Sequence, residues 1–559
     1  MEYLAYAILI LVLAAVFFIF GLMDEKKARE NLKNRLMKQY GVHSSKEYAE
    51  GRMKSIRSVL RFDKEANKAF FIDDITWNDL EMDRLFMNFD YTRSAAGEEA
   101  LYRFLRVPVF REEVLQKREK HIRFFSVYEK ERLEYMMFMN GIGRTGKYSV
   151  YDYLDYLDAL PSQNNLLTIA VDVAIVGCTL LGFLLHTGFF IPAVVLLFYH
   201  CFVYMGRKRE VEPYLTTFAY FLRVLNGVKK LSHMSQGFSE EFRDEQEQIK
   251  EAVKSLKGFQ RGAYLAVEAG NSYGPMDIAR IILTYINMIF HLDLLKLYSM
   301  LHILKEKKEE LISLLFVVGE IEAYVSIAYM RAALKDYAVP EFVSDKKIYE
   351  AENLYHPLIA DPVTNSVCQR RGMLLTGSNA SGKSTFLKAA AVNAILAQTI
   401  HTVCAESYKS SFFRVYSSMA LRDSLEQGES YFIVEIKSLK RIFDGAKEEG
   451  YPVFCTIDEV LRGTNTAERI GASTELLKEL SGMNALCFAA THDLELTALL
   501  KEKFDNYHFE EMVEGADISF PYLLKEGSAK GRNAIKLLGA MGFDPELVER
   551  AEKLAGGIK

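Results

Sequence analysis

Gly377-Ser-Asn-Ala-Ser-Gly382-Lys383-Ser384 is the stretch that decides the fold of this 559-residue chain. The apolar run Met373-Leu-Leu-Thr376 precedes it and reads as a buried strand, and Ser384 to Ile400 reads as a helix. A Gly-x-x-x-x-Gly-Lys-Ser loop between a strand and a helix is the context a P-loop requires. Gly377 and Gly382 let the backbone turn tightly, so that its N–H groups face phosphate oxygens, and the helix amino terminus adds a favourable dipole. Ser378, Asn379, Ala380, Ser381 and Thr385 complete the expected cradle. Lys383 is expected to pair with the β- and γ-phosphates of ATP, and the Ser384 hydroxyl to ligate Mg²⁺.

Working outward, Pro452-Val-Phe-Cys-Thr-Ile457 reads as a second strand ending in Asp458-Glu459, some 75 residues after the P-loop. Asp458 suits Mg²⁺, directly or through its ligands, and Glu459 suits a general base that orients the attacking water. A third strand, Ala485-Leu-Cys-Phe-Ala-Ala490, ends in Thr491-His492, where an imidazole can donate to the γ-phosphate. Together these elements describe an ABC-type ATPase, in which two subunits sandwich each nucleotide. Such a module needs a donor loop. Gly428-Glu-Ser430-Tyr-Phe-Ile-Val-Glu435 fits, with Ser430 reaching the γ-phosphate in trans, although the same residues also suit an ordinary loop and helix start.

These residues resemble the MutS family of DNA mismatch-repair ATPases. Thr376-Gly-Ser-Asn379-Ala-Ser-Gly-Lys-Ser-Thr385 looks like that family's Thr-Gly-x-Asn-x-x-Gly-Lys-Ser-Thr loop, and Gly428 to Glu435 resembles its Gly-x-Ser-x-Phe-x-x-Glu segment. Ile457-Asp-Glu459-x-x-Arg462-Gly-Thr464-Asn-Thr466 and Ala490-Thr-His492 are similar to two further family signatures. His356-Pro357 and Asn365 resemble elements ahead of the P-loop; by the same alignment Val363 and Tyr522 flank the adenine. Val318 to Ala328 is similar to the last helix of the family's lever core, and Thr92 to Pro108, including Gly97, resembles its start. Gly527 to Gly539 and the helix after Pro545 look like a carboxy-terminal dimerisation segment. The resemblance implies a homodimer formed through the ATPase domains, with DNA as a family partner that composition does not reveal.

The rest of the chain departs from that pattern. Leu4 to Met23 is twenty residues without a charge, long enough to cross a bilayer core of about 30 Å. Lys26, Lys27, Arg29, Lys33, Arg35 and Lys38 follow, which places the amino terminus outside the cell membrane and the next segment in the cytoplasm. Leu166 to Met205 carries one formal charge, Asp172, and is broken at His186-Thr-Gly188 and Pro192, so it reads as a membrane hairpin. The competing reading of both stretches is as buried core helices. Asp172 is either an intramembrane functional acid or an interfacial one. Three spans return the ATPase to the cytoplasm. The net charge of -5 gives no global basic footprint for nucleic acid, and six scattered cysteines without Cys-x-x-Cys pairs read as reduced thiols.

The expected architecture is therefore an α/β P-loop (ABC-type) ATPase domain behind an all-α core and lever domain with transmembrane helices. Its parts are a span at 1–23, helical core at 24–165, the hairpin at 166–205, lever at 206–338, the ATPase at 339–520 and a dimerisation segment at 521–559. Asp277 to Leu334 reads as two long antiparallel helices broken at Lys305 to Glu310. Trp77 is expected as a core anchor. The chain is expected to lack the amino-terminal mismatch-probing domain; Phe110-Arg-Glu112 fits its Phe-x-Glu string but follows the start of the helical core and reads as accidental. Two functions follow: a membrane-anchored ATPase acting on DNA or its repair, or a membrane mechanoenzyme that couples ATP to a protein or lipid partner. A transporter half is disfavoured, because three spans are few for a transport pathway.

Overall fold

The computed structural model describes residues 2–62, 70–145, 148–159, 165–263, 278–344, 347–378, 381–419, 431–461, 464–514, 517–529, 535, 538 and 542–557. Among these residues the regular elements up to Ala333 are helices, and strands begin at Glu341. The first helix, Glu2–Gln39, carries the apolar start and the basic run without a break. Its far end enters the core, where Leu36 is buried and its carbonyl accepts the Tyr329 hydroxyl at 3.1 Å.

The helical core is centred on Lys308–Ala333, which packs along Ala95–Arg106 and Glu112–Val127. Two glycines set how closely the first pair approaches. A Cβ on Gly319 would stand 2.3 Å from the Ala96 carbonyl oxygen, and one on Gly97 would stand 1.9 Å from Glu322 Oε2. Glu322, fully buried, takes the Ser94 hydroxyl at 2.5 Å and the Arg93 amide, so it joins the two helices through the capping turn of the second. Ser94 itself accepts the Gly97 amide at 3.0 Å, the usual way to satisfy a helix's first free N–H groups. Trp77 is wholly buried, donates to Asp83 at 2.6 Å and lies under the Arg106 guanidinium, as expected of a core anchor.

The expected pair of antiparallel helices over 277–334 is in fact three: Ile278–Phe290, Leu292–Glu306 and Lys308–Ala333. The extra break falls at His291, whose φ of 50° lies in the left-handed region. A tertiary contact accounts for it. The His291 ring stacks on His200 at 3.8 Å and its Nε2 lies 3.0 Å from the His200 carbonyl oxygen.

Among the described residues, three helices are long and apolar enough to cross a membrane: Leu166–Leu184, Thr187–Glu212 and Lys308–Ala333. They differ in what covers them. The last is 78% buried within the protein, which marks it as core, whereas the first two are each 17% buried. Phe183, Leu184, Phe198 and Phe202 stand out as exposed apolar side chains on that pair. The second helix of the pair does not stop at its basic residues; Phe190–Val228 runs 39 residues from the apolar half into the helical core. Asp172 faces inward across the pair, 2.9 Å from His200 Nε2.

The described residues of the carboxy-terminal part form two larger sheets and one of two strands. In chain order the strands are β1 (Glu341–Val343), β2 (Tyr349–Leu354), β3 (Asn365–Gln369), β4 (Gly372–Thr376), β5 (Ser407–Ser411) and β6 (Arg414–Ser418). Then follow β7 (Val453–Asp458), β8 (Ala485–Ala490), β9 (Phe504–His508), β10 (Met512–Glu514), β11 (Asp517–Ser519) and β12 (Lys525–Glu526). The main sheet has the order β12-β9-β4-β8-β7-β6, parallel throughout except for the edge strand β12. β4 and β8 are buried at every position, which explains their unbroken apolar sequences. A smaller sheet, β1-β5-β2-β3, lies beside it, and β10 and β11 form a hairpin.

Candidate functional site

Parallel strands place their carboxyl ends on one edge, and that edge is where ligands bind in open α/β sheets. Here the adjacent strands β4, β8 and β7 end in Gly377, Thr491-His492 and Asp458-Glu459. Backbone bonds tie the three ends together: Thr491 N–H donates to the Leu375 carbonyl at 2.9 Å, and Glu459 N–H to the Ala490 carbonyl at 3.0 Å. Residues far apart in sequence thus converge on the start of helix Lys383–Thr399.

The phosphate loop has the backbone its glycines predict. Gly377 has φ 144° and Gly382 φ 108°, both in the region that side chains avoid. A Cβ at Gly377 would also meet the Phe509 carbonyl oxygen at 2.5 Å. Lys383 is buried and folds back on the loop, donating to the carbonyls of Gly377 at 2.7 Å and Ser378 at 2.8 Å. Burial lowers its pKa from the ordinary lysine value, while Asp458, Glu459 and Glu511 pull the other way. Ser384 and Thr385 are exposed residues at the first turn of the helix, and Ser381 is buried. Asn379 and Ala380 lie outside the described residues.

Glu459 has φ 60° and Leu461 φ 57°, so two non-glycine residues sit in the left-handed region just after β7. Such conformations cost on the order of 1 kcal/mol or more each and cluster at functional sites. The Glu459 carboxylate lies 3.4 Å from His492 Nδ1, which brings the expected base and the expected phosphate sensor side by side. Asp493 fixes this corner, with both oxygens 2.7 Å from the Arg469 guanidinium. Arg469 lies on helix Thr466–Gly482, whose amino terminus Asn465 caps through the Glu468 amide at 3.0 Å.

Tyr522, φ 56°, is held over the loop. Its ring Cδ1 would be 3.1 Å from a Cβ on Gly382, and its carbonyl accepts the Asn365 side chain at 3.0 Å. Asn365 also accepts the Leu524 amide at 2.7 Å, so it pins the segment from both sides. Val363 is exposed in the turn ahead of β3, as is the Tyr522 ring. His356 is buried, and that burial pushes its pKa down to about 4, leaving a neutral ring whose Nδ1 accepts the Leu358 amide. Ser430 and Arg462 lie outside the described residues; the helix Tyr431–Lys447 follows the first directly.

Sequence reasoning missed three features here. Glu511 accepts the Ser378 hydroxyl at 2.7 Å, directly against the phosphate loop. Helix Asp74–Asp79, from the amino-terminal half, docks on β6, where Asp79 accepts the Ser417 hydroxyl at 2.7 Å and the Met419 amide at 3.0 Å. Arg331, at the end of the core helix, grips the far end of the phosphate-loop helix. It bonds Glu119 at 2.9 and 2.6 Å, the Thr402 hydroxyl at 2.9 Å and the His401 carbonyl at 2.8 Å. Burial would raise the Glu119 pKa, but its bonds to His401 and Arg331 hold it at about 2. No local pattern announces any of these contacts.

A glycine-bent loop at a strand end, a lysine over it, and an acidic pair and a histidine side by side at the neighbouring strand ends define a P-loop nucleotide-binding domain. The donor set suits the cofactors expected of it, since Ser384 and Asp458 offer hard oxygen ligands to Mg²⁺ and the loop offers backbone N–H groups to phosphate. The sequence profile of MutS domain V matches residues 373–559, so this third of the chain is a domain of the MutS family. Three DNA mismatch repair proteins MutS are similar to it. That of Pseudothermotoga lettingae is 29% identical over 262 residues, covering 45% of this chain and 32% of the relative. Those of Natronomonas pharaonis and Persephonella marina are 30% and 31% identical, over 43% and 42% of this chain and 29% and 28% of theirs. The chain thus spans about a third of the length of the curated relatives it matches.

Proposed function

We propose that this chain is a membrane-anchored MutS-family ATPase that works as a homodimer with composite ATP sites. The observation that carries the ATPase reading is the convergence of Lys383, Asp458, Glu459 and His492 on the carboxyl edge of one parallel sheet. Lys383 would leave the loop carbonyls for the β- and γ-phosphates. Ser384 and Asp458 would hold Mg²⁺, which when bound screens the phosphate charge. Glu459 would take the proton of the attacking water, with His492 reporting the γ-phosphate. Ser430 of the second subunit would complete the site. Lys383→Ala is expected to abolish nucleotide binding, and Glu459→Gln to keep binding but stall turnover in an ATP-bound dimer. Rapid turnover by Glu459→Gln removes it as the base.

The curated relatives are DNA mismatch repair proteins by name, and DNA is the partner carried over from them. Duplex, mismatched and branched DNA titrated against detergent-solubilised protein over a range of salt tests this, because phosphate contacts weaken steeply with salt. A flat response sinks it. The exposed apolar pair Leu166–Leu184 and Thr187–Glu212 supports a second reading, in which the same ATP cycle drives a protein or lipid partner in the membrane and never engages DNA. Both readings place the multi-pass chain in the cell membrane, with its amino terminus outside and its ATPase in the cytoplasm. Protease protection in sealed vesicles tests that topology.

A further inference from the structure

The phosphate loop carries a negative group that its chemistry does not call for. β9 runs parallel to β4, and the pairing continues past the end of β9, where the Phe509 amide donates to the Thr376 carbonyl at 3.0 Å. The chain that follows is therefore laid along the first turn of the loop. Of its two successive glutamates, Glu510 is paired with Lys525 and lies 3.7 Å from His508. Glu511 points the other way, to the Ser378 hydroxyl at 2.7 Å, and has no ion pair among the described residues. It is close enough to act on the charge of Lys383, together with Asp458 and Glu459.

Asp458 and Glu459 have chemical reasons to be there. Glu511 lies on the opposite strand-side of the loop, and a di- or triphosphate entering the cradle brings charge of the same sign toward it. The Ser378 bond meanwhile holds the loop in the form where its own carbonyls engage Lys383. Both effects act against a polyphosphate in the loop.

We propose that Glu511 is a positioning residue that sets nucleotide affinity: it holds Ser378 at the start of the phosphate loop and opposes polyphosphate by charge, which weakens ADP binding. The proposal rests on the nucleotide-binding reading above. Unit charges several ångströms apart near a protein surface interact strongly enough to change a binding constant about tenfold.

The test is equilibrium binding of fluorescent ADP and ATP, with adenosine as the uncharged control, to the full chain in detergent. Glu511→Gln keeps a carbonyl oxygen for Ser378 but removes the charge, and is expected to tighten ADP about tenfold at low salt, leaving adenosine unchanged. Raising the ionic strength should shrink that gain, which a purely structural contact would not do. Glu511→Asp, which keeps the charge, should retain the weaker wild-type affinity. Equal ADP affinity in the wild type and Glu511→Gln at low salt overturns the proposal, as does a gain indifferent to salt. A wild-type chain that binds neither ADP nor ATP overturns instead the nucleotide-binding reading on which it stands.

Discussion

Gly97→Ala is a one-carbon change that the helical core has no room for. Its Cβ would stand 1.9 Å from Glu322 Oε2, 2.4 Å from Cδ and 2.8 Å from Cγ, so the Glu322 side chain must move. That side chain is fully buried and holds the Ser94 hydroxyl and the Arg93 and Ser94 amides. Overpacking of this kind costs about 1–3 kcal/mol, and loss of the capping turn about 1 kcal/mol more. The sum of roughly 2–4 kcal/mol should lower the melting midpoint by about 5–15 °C. Gly141→Ala is the control, since nothing lies within 4 Å of its Cβ position on the exposed face of helix Glu129–Ile142. There the same change should be neutral or stabilise by about 0.5–1 kcal/mol. Pairing Gly97→Ala with Glu322→Ala should recover part of the loss, as the two side chains contend for one space. Gly97→Ala melting with the wild type, or beside Gly141→Ala, refutes the packing argument.

Other contacts give sharper single tests. Arg331→Met leaves Glu119 without its bidentate partner and should cost about 3–5 kcal/mol in a denaturant melt, more than Glu119→Gln. Burial raises the Glu99 carboxyl to about 8, so this group stays protonated at neutral pH. Its folded pKa lies above the ordinary 4.5, so its contribution to stability is complete below that value and is lost as pH rises through about 8. Glu99→Gln should therefore flatten the decline in thermal stability between those limits, and an unchanged slope counts against a neutral Glu99. Asp79→Ala deprives the Met419 amide of its acceptor, and hydrogen exchange at that amide should accelerate about tenfold or more.

The nucleotide end of the molecule was legible because its signals are local. A strand, a glycine-bent turn and a helix are encoded within some thirty residues, and β7 and β8 announce themselves by unbroken apolar runs. Spacing alone could not show which strands would be neighbours, yet the three chemical ends do meet. What escaped was whatever depends on partners distant in the chain. The left-handed turn at His291 is stabilised by a ring 91 residues away, so helical periodicity passes straight through it. Asp79 finds Ser417 across 338 residues, and Glu511 finds Ser378 across 133. Lys308–Ala333 shows the converse ambiguity, because its composition fits a bilayer as well as a core and only its neighbours distinguish them.

The uninterrupted course of helix Phe190–Val228 has a mechanical consequence. At 1.5 Å per residue it is a rod of about 58 Å, and it stays helical through Gly206 and Pro213, where its exposed apolar part gives way to the buried part. As long as the helix holds its course, rotation at one end becomes sideways travel at the other. Ten degrees of tilt in the helical core would sweep the apolar tip through roughly 10 Å, about the diameter of a helix. The paired helix Leu166–Leu184 would ride with it, fastened by the Asp172–His200 contact. The two would move as an oar, with the core as its rowlock.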